Sequence, residues 1–177
     1  DYVQSGTAID VDVEASDENN IQSVSVNGEP ASSNSGVYET TIVAESSEGT
    51  YDATVTVTDE YGNEQTQTVQ YTVEDTPPQI FDYSVTNLDG ESNNLAMDGD
   101  MIEHSVDTES SNIQSVIVNG NSMTGGSDGE YTTQTTWNSE TTYTVEVTDD
   151  AGNTNTESIE VEKNTVPSIL NPHLDVD

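Results

Sequence analysis

The residues able to carry out chemistry in this chain are two histidines and a large number of carboxylates. The 177 residues include 35 Asp and Glu, one lysine (Lys163), no arginine and no cysteine. A nucleophilic triad needs a histidine held between a carboxylate and a serine, whereas His104 falls in a predicted strand and His173 follows Pro172 near the C-terminus. No Gly-x-Ser-x-Gly sequence is present, and among so many carboxylates no single pair stands out for glycosidic chemistry. The sequence therefore predicts no enzyme.

Calcium binding is a second kind of chemistry that carboxylates support, because Ca²⁺ takes oxygen ligands. Candidate ligands follow or precede predicted strands in both halves of the chain: Asp59, Glu60, Asp75, Asp149 and Asp150. No Asp-x-Asp-x-Asp-Gly loop is present, and Asp10-Val11-Asp12 alternates in the manner of a solvated strand face. We expect no cofactor, with structural calcium at these loops as the alternative and salt cations as the usual companions of the carboxylates.

The net charge of the chain indicates the salt conditions that suit it and the kinds of partner that it can bind. A formal net charge of −34 makes neighbouring carboxylates repel one another, and salt at about 1 M shortens the Debye length to about 3 Å. This composition predicts an extreme halophile as the source, because halophiles use a high net charge to keep their proteins soluble. Binding to nucleic acid depends on Lys and Arg, so nucleic acid is excluded as a partner. No apolar run reaches the roughly 18 residues that would insert into a membrane.

The elements that carry these residues are predicted to be short strands. Ile9, Val11 and Val13 alternate with acidic residues, and this period of two buries one face of a strand. The alternation argues against the other interpretation of an acidic chain, a disordered tail. In the first half we predict strands at 7–14, 20–27, 37–44, 50–58 and 66–74.

An internal repeat sets the domain organisation. Three segments return in the same order, 92, 90 and 89 residues later: Asn20–Val24 as Asn112–Val116, Val57–Asn63 as Val147–Asn153, and Asp75–Ile80 as Asn164–Ile169. The repeat indicates a tandem duplication of a domain of roughly 90 residues. We predict an all-β fold of two antiparallel sandwich domains, at 1–76 and 77–167, followed by a tail at 168–177.

Two local signals support a sandwich. Asn27-Gly28 is a strong hairpin signal, because both residues tolerate positive φ. Tyr51 and Tyr143 each precede a Val-rich strand, the position expected for a tyrosine corner.

The residues at this point resemble a known group. Gly49-Thr50-Tyr51, then Val55–Asp59, then Gly62-Asn63, then a strand that ends in Asp75-Thr76-Pro77-Pro78 are similar to the immunoglobulin-like modules of prokaryotic surface proteins, including those of haloarchaea. The resemblance covers nearly the whole chain, twice. It implies two tandem Ig-like domains with an extracellular location on a cell or virion surface. Such modules act as spacers, lattice tiles or binding domains, so the fold alone does not choose a function.

The two copies differ at their starts. The second copy has the stretch from Ile80 to Asp98 before Gly99, which is long enough for an opening strand, whereas the first copy has five residues before Gly6. One expectation is that the chain is a stretch of a longer tandem array. The other is that the tail of one subunit supplies the opening strand of the next by β-strand addition, which would build a filament.

The strand-donation hypothesis makes the tail an interface. Its apolar residues are the candidates: Ile169, Leu170, Leu174 and Val176. Pro172 counts against the hypothesis unless it lies on the side of the strand that does not pair.

Two classes of function stay open. The first is a structural module of a surface array, S-layer or filament that associates with copies of itself, with contacts that salt strengthens by screening repulsion. The second is an adhesin or virion spike module that recognises a receptor or a surface glycan. Trp137 distinguishes them: exposure next to Tyr131 would favour recognition, and burial would favour a scaffold.

Overall fold

The computed structural model describes residues 1–90, 94–109, 111–125, 128–139, 142–168 and 170. All regular secondary structure in this part of the chain is β-strand, and it contains no helix of the length and apolarity needed to cross a membrane. The chain divides into two compact units, one of Asp1–Pro77 with Asp149–Asn153 and one of Pro78–Thr148 with Thr154–Asp177. The all-β fold predicted from the period-two patterns is confirmed.

The first unit is a sandwich of two sheets. Its strands are β1 (Tyr2–Val3), β2 (Ala8–Glu14), β3 (Ile21–Val26), β4 (Glu29–Pro30), β5 (Ser32–Asn34), β6 (Val37–Val43), β7 (Gly49–Asp59) and β8 (Glu64–Val73). One sheet has the order β1-β8-β7-β3-β4 and the other has the order β2-β6-β5. The five longer strands agree with the predicted ones to within about two residues, an ordinary difference at the boundaries of an element.

The second unit repeats this plan with additional strands. They are β9 (Ile80–Asn87), β10 (Leu95–Ala96), β11 (Met101–Thr108), β12 (Ile113–Val118), β13 (Asn121–Ser122), β14 (Thr124–Gly125), β15 (Glu130–Thr136), β16 (Thr142–Asp149), β17 (Thr154–Glu160) and β18 (Glu162–Lys163). One sheet has the order β14-β15-β11-β9, another has the order β13-β12-β16-β17, and β10 pairs with β18. The stretch before Gly99 therefore contains an opening strand, β9, as its length predicted.

The long strands pair antiparallel, as predicted, and two short pairs are parallel. In the first unit β1 pairs with β8 in parallel, and in the second unit β10 pairs with β18 in parallel. Each of these pairs is two residues long, too short for a period-two pattern to reveal it. In each unit a two-residue strand thus lies parallel to a late strand of the same unit: β1 beside β8 in the first, and β10, which follows β9, beside β18 in the second.

The hairpins that follow β3 and β12 contain Asn-Gly turns of the kind predicted at Asn27-Gly28. Asn27-Gly28 adopts φ values of 51° and 85°, and Asn119-Gly120 adopts 43° and 83°, as a type I′ turn requires. The Asn27 side chain accepts a hydrogen bond from the backbone N–H of Thr54 at 2.8 Å, and Asn119 accepts one from Thr144 at 2.9 Å. The turn therefore also anchors the neighbouring strand in both units.

The two predicted tyrosine corners have different outcomes. The Tyr51 hydroxyl donates to the carbonyl oxygen of Ser47 at 2.9 Å, the contact expected of a tyrosine corner. Tyr143 is not its counterpart, because Tyr143 pairs with Ile159 at the position where the first unit pairs Ala53 with Val69. Tyr143 is instead a buried residue of the second core.

Each core is formed by the inward-facing residues of the alternating strands. In the first unit Val24, Val26 and Val73 are at most 2% exposed. In the second unit Ile102, Val145 and Val147 are fully buried. Burial of each such side chain contributes about 1.5–3 kcal/mol, which is the main stabilising term for a chain without disulfides.

Candidate functional site

The acidic residues proposed as calcium ligands at the strand ends organise turns. The Asp59 carboxylate accepts the backbone N–H groups of Tyr61 and Asn63, each at 2.8 Å, and the side-chain amide of Asn63 at 2.7 Å. Hydrogen bonding, led by the Asn63 amide, holds the pKa of Asp59 below its usual range. Asp149 accepts the same two groups of Asn153 at 2.8 and 2.9 Å. These carboxylates therefore shape the turn that joins the last two long strands of each repeat.

The remaining calcium candidates are not gathered around a common point. The Asp75 carboxylate accepts the backbone N–H of Ser5 at 2.8 Å, and Glu60 and Asp150 are exposed. Within the described residues no group of three or more His, Asp or Glu side chains is placed to hold a metal ion. In the described part of the chain, these candidates are therefore not brought together around one ion.

His104 lies in a strand, β11, as the sequence predicted, and it is a core residue of the second unit. It is fully buried, with Nδ1 at 3.1 Å from the Tyr83 hydroxyl and Nε2 at 3.1 Å from the Thr135 hydroxyl. Its ring centroid lies 4.7 Å from that of Tyr143. Burial lowers the pKa of His104 to about 4 and raises that of Tyr83. A neutral imidazole held between two hydroxyl groups is a packing element of the sandwich.

Trp137 is also a core residue, which corrects its place among the interface candidates. Its side chain is 1% exposed, and the Lys163 ammonium lies 6.0 Å from the centroid of its ring. Lys163 also pairs with Asp98 at 3.0 Å, with both side chains more than half exposed, and such an exposed pair contributes little to stability. The burial of Trp137 is the outcome expected for a scaffold.

The other interface candidates belong to the tail, residues 168–177. Ile169, Leu174 and Val176 lie outside the described residues. Leu170 is 83% exposed.

The most distinctive surface of the first unit is the outer edge of β2. In the sheet order β2-β6-β5, β2 is an edge strand, whereas in the second unit β11 lies between β15 and β9. The strands are equivalent by register, because Ile9 pairs with Ile42 and Ile102 pairs with Thr135, a constant shift of 93 residues. The first unit thus has no described strand in the position that β9 fills in the second.

The backbone of β2 presents unpaired groups on this side. The N–H of Ala44 donates to the carbonyl oxygen of Thr7 at 2.8 Å, so the odd-numbered residues of β2 pair with β6, and the even-numbered residues face outward by the alternation of an antiparallel ladder. We call this row the open edge; its residues are Ala8, Asp10, Asp12 and Glu14. An edge of this kind is a template for pairing with another strand.

The side chains next to the open edge are less buried than their equivalents in the second unit. Ile9, Val11 and Val13 are partly exposed, whereas Ile102, His104 and Val106 are fully buried. On the facing sheet Val69 is 54% exposed, while its equivalent Ile159 packs against the core. In the second unit the equivalent side chains are covered by Tyr83 and Val85 of β9, which are themselves only 6% and 2% exposed.

Two grooves run along the open edge, between β2 and β8. The first, of about 220 Å³, is lined in part by Val3, Ile9, Val11, Ile42, Val69 and Tyr71. The second, of about 440 Å³, continues along β2 and is lined in part by Val13, Ala15, Ile21, Val55 and Val57. These side chains, apart from the exposed Val69, belong to or pack against the core of the unit. Acidic and polar side chains, among them Asp10, Asp12 and Glu64, complete the lining. The grooves can accept the alternate side chains of an added strand.

Sequence comparison of the two copies indicated that an opening strand is missing, but it did not identify β8 as the second wall of the groove. The available signal was weak. Val69 and Ile159 are apolar in both repeats at a shift of 90 residues, and this alternation fits any half-buried strand.

Comparisons with known proteins give the fold class. No family model and no curated protein matches the chain. Among solved structures, the fibronectin(III)-like modules of Clostridium thermocellum CbhA match with a TM-score of 0.50 and 13% identity, over 97% of this chain and 94% of that one. The chain folds like tandem Ig-like or fibronectin III-like modules. At this identity the likeness concerns the fold alone.

Two further matches have lower scores. A chimeric titin Z1Z2-Z1Z2 tandem matches with a TM-score of 0.36 and 14% identity, over 93% of this chain and 94% of that one. SGBP-B of the Bacteroides ovatus mixed-linkage glucan utilization locus, solved with a mixed-linkage heptasaccharide, matches with a TM-score of 0.32 and 15% identity. That match covers 92% of this chain and 43% of SGBP-B.

Proposed function

We propose that this chain is a non-enzymatic structural module on the outer surface of a halophilic archaeon, where it forms part of a surface array, S-layer or filament by association with copies of itself. The observation that carries the proposal is the open edge of β2. The first unit presents a row of unpaired backbone groups beside grooves partly lined by apolar side chains, and these are the features by which sheets accept another strand.

The charge supports the halophilic setting. The outward-facing side chains of β2, Asp10, Asp12 and Glu14, are exposed, and the chain has a single lysine to offset 35 acidic residues. Contacts between two such surfaces require screening, and salt at about 1 M limits the Debye length to about 3 Å. Molar salt therefore favours both the folded units and their association.

The placement of the aromatic and titratable residues supports a structural role over recognition or catalysis. Trp137 and His104 are buried in the second core, and Asp59 is engaged in its own turn. An exposed Trp137 would have favoured recognition of a receptor or glycan, but this side chain is buried.

Assembly in molar salt tests the proposal. The purified chain, concentrated in about 3 M NaCl and imaged by negative-stain electron microscopy, should form filaments or ordered sheets. Dispersed particles of monomer size at every concentration would contradict the structural role, and binding to a glycan array under the same conditions would favour recognition instead.

A further inference from the structure

We propose that the open edge of the first unit binds the tail, residues 168–177, of a second copy of this chain as an added antiparallel strand. This inference rests on the proposed function and names the contact through which the copies associate. It is carried by the geometry of the second unit, where β9 already occupies the equivalent position within one chain.

The second unit shows what a strand at this position does. β9 pairs antiparallel with β11, with Val85 opposite His104 and Tyr83 opposite Val106, and it also packs against β17 of the facing sheet. A strand placed there therefore completes the backbone ladder and closes the apolar groove between the two sheets.

The tail follows the second copy of a repeated segment, as β9 follows the first. Asp75–Ile80, which leads into β9, returns as Asn164–Ile169 with a shift of 89 residues. Continuing that shift, the positions whose side chains are buried in β9 correspond to apolar residues of the tail. The inward positions Tyr83, Val85 and Asn87 become Pro172, Leu174 and Val176.

The tail positions that alternate with these apolar residues are polar. Ser84 and Thr86 of β9 correspond to His173 and Asp175. The tail thus has the alternation that one buried face and one solvated face require. A slip of one residue would turn Pro172, Leu174 and Val176 outward, so the pattern excludes the odd slips. Among the remaining registers, the shift of 89 residues between the repeated segments selects the one used here.

Pro172 is compatible with this register. The N–H of Leu88 donates to the carbonyl oxygen of Met101 at 2.8 Å, so the even-numbered residues of β9 pair with β11 and the odd-numbered residues, including Tyr83, point away. Pro172 corresponds to Tyr83, where no ladder hydrogen bond to the neighbouring strand is needed. A proline is tolerated at such a position.

The register also predicts which residues of the two copies face each other. Equivalent residues of β2 and β11 differ by 93 in number, and equivalent residues of β9 and the tail differ by 89. If the tail pairs with β2 as β9 pairs with β11, the opposed residues are Val11 and Leu174, Asp12 and His173, and Asp10 and Asp175. The apolar pair lies over the groove. The Asp10 and Asp175 pair carries like charges, so the contact requires the screening that molar salt provides.

The contact is heterologous, because the open edge and the tail are different surfaces of the chain. Each copy donates one strand and accepts one, so association between copies continues as a head-to-tail chain. The predicted product is a filament in which each first unit is completed by its neighbour.

Disulfide trapping tests the register directly, because the chain contains no cysteine. The double variant Asp12→Cys with His173→Cys places two cysteines directly opposite, at the roughly 5.5 Å Cα separation that a disulfide spans. In molar salt, oxidation should give a ladder of disulfide-linked multimers on a non-reducing gel. The matched control, Ser33→Cys with His173→Cys, puts the acceptor on β5 at the other edge of the same sheet and should stay monomeric.

Light scattering in molar salt supplies an independent readout. Deleting residues 168–177 leaves every described strand in place and should abolish self-association. Leu174→Asn, at an inward position, should weaken association on the order of tenfold or more through lost apolar burial, whereas His173→Asn, at the neighbouring outward position, should change it little. A labelled peptide of residues 168–177 should bind the deleted chain, and a scrambled peptide should not.

Other outcomes overturn the inference and separate it from the proposed function. Assembly that persists after the deletion would refute strand donation while leaving the structural role intact. A disulfide that forms within one chain, without a ladder, would assign the open edge to the tail of the same copy. Equal trapping by Asp12→Cys and Ser33→Cys would show encounters without a defined register. An intact chain that fails to associate would contradict the inference and the structural role together.

Discussion

Val11 and His104 occupy equivalent positions in the two units, yet only His104 is fully buried. Val11 pairs with Thr40 and His104 pairs with Thr133, the same register shifted by 93 residues. His104 has 0% exposure, whereas Val11 is partly exposed. The difference is β9, whose Tyr83 lies against His104 and has no described counterpart over Val11.

Hydrogen exchange should distinguish the two edges of β2. The amides of Asp10 and Asp12 face the open edge, whereas those of Val11 and Val13 pair with β6. In monomeric protein lacking residues 168–177, we expect Asp10 and Asp12 to exchange rapidly and Val11 and Val13 slowly, measured by NMR in molar salt. In the assembled intact chain, Asp10 and Asp12 should become protected.

An internal control for this experiment is Glu103, the equivalent of Asp10 in the second unit. It pairs with Thr86 of β9 and should be protected in both states. Rapid exchange at Asp10 in the assembled protein would show that the open edge stays unpaired.

The stability of the second unit should depend on the protonation of His104. Burial lowers the pKa of His104 to about 4 in the folded state, against about 6.5 when unfolded, so the unfolded chain binds the proton more tightly. The free energy of unfolding should therefore have its full His104 contribution above about pH 6.5 and lose it as the pH falls toward 4. Trp137, the only tryptophan and a member of that core, reports this transition by its fluorescence.

The matched variant is His104→Val, which installs the residue found at the equivalent position of the first unit. It should be less stable overall, because the Tyr83 and Thr135 hydroxyls lose a partner. Between pH 6.5 and 4, however, the free energy of unfolding of the variant should fall by less than that of the parent chain. Identical pH profiles for the two proteins would contradict the assignment of His104 as a buried neutral group.

The Asp59 carboxylate should stabilise its turn without metal. Asp59→Ala removes the acceptor for three hydrogen bonds from Tyr61 and Asn63, so the melting temperature of the first unit should fall by the same amount with calcium or with chelator present. The parent chain should melt at the same temperature in both solutions. A melting temperature that drops on chelation would restore calcium as a ligand of these loops.

Assembly should be reversed by removing salt. Dilution from about 3 M to about 0.15 M NaCl lengthens the Debye length to about 8 Å, and the carboxylates around the open edge then repel those of the tail. Light scattering should show dissociation in the diluted sample. A parallel dilution into sucrose, which strengthens burial by exclusion but does not screen charge, should not restore the assemblies, and their recovery in sucrose would contradict the electrostatic explanation.

Much of the fold follows from local pattern. The period of two in Ile9, Val11 and Val13 predicts β2, and Asn27-Gly28 predicts the hairpin between β3 and β4, because each signal is contained within a few residues. The two-residue strands β1 and β10 could not be predicted, since two residues show no period. The role of Tyr143 was also missed, because its position depends on the pairing register with Ile159 rather than on its spacing from the Val-rich strand.

The candidate site was only partly predictable. Comparison of the two copies indicated a missing opening strand, since that inference needs only an alignment of the repeats. The partial exposure of Val69 and the groove between β2 and β8 depend on how two sheets pack, which no local pattern encodes. The compatibility of Pro172 likewise depends on which residues of β9 pair with β11, a property of the ladder.

The most direct test of strand donation is a near-atomic electron cryo-microscopy reconstruction of the assembly formed in about 3 M salt. We predict an extended strand paired antiparallel with the open edge, continuous with the segment that follows Lys163 of a neighbouring copy, with Leu174 opposite Val11. An assembly in which the open edge is bare, or is paired with any segment other than residues 168–177 of a neighbour, would contradict the account.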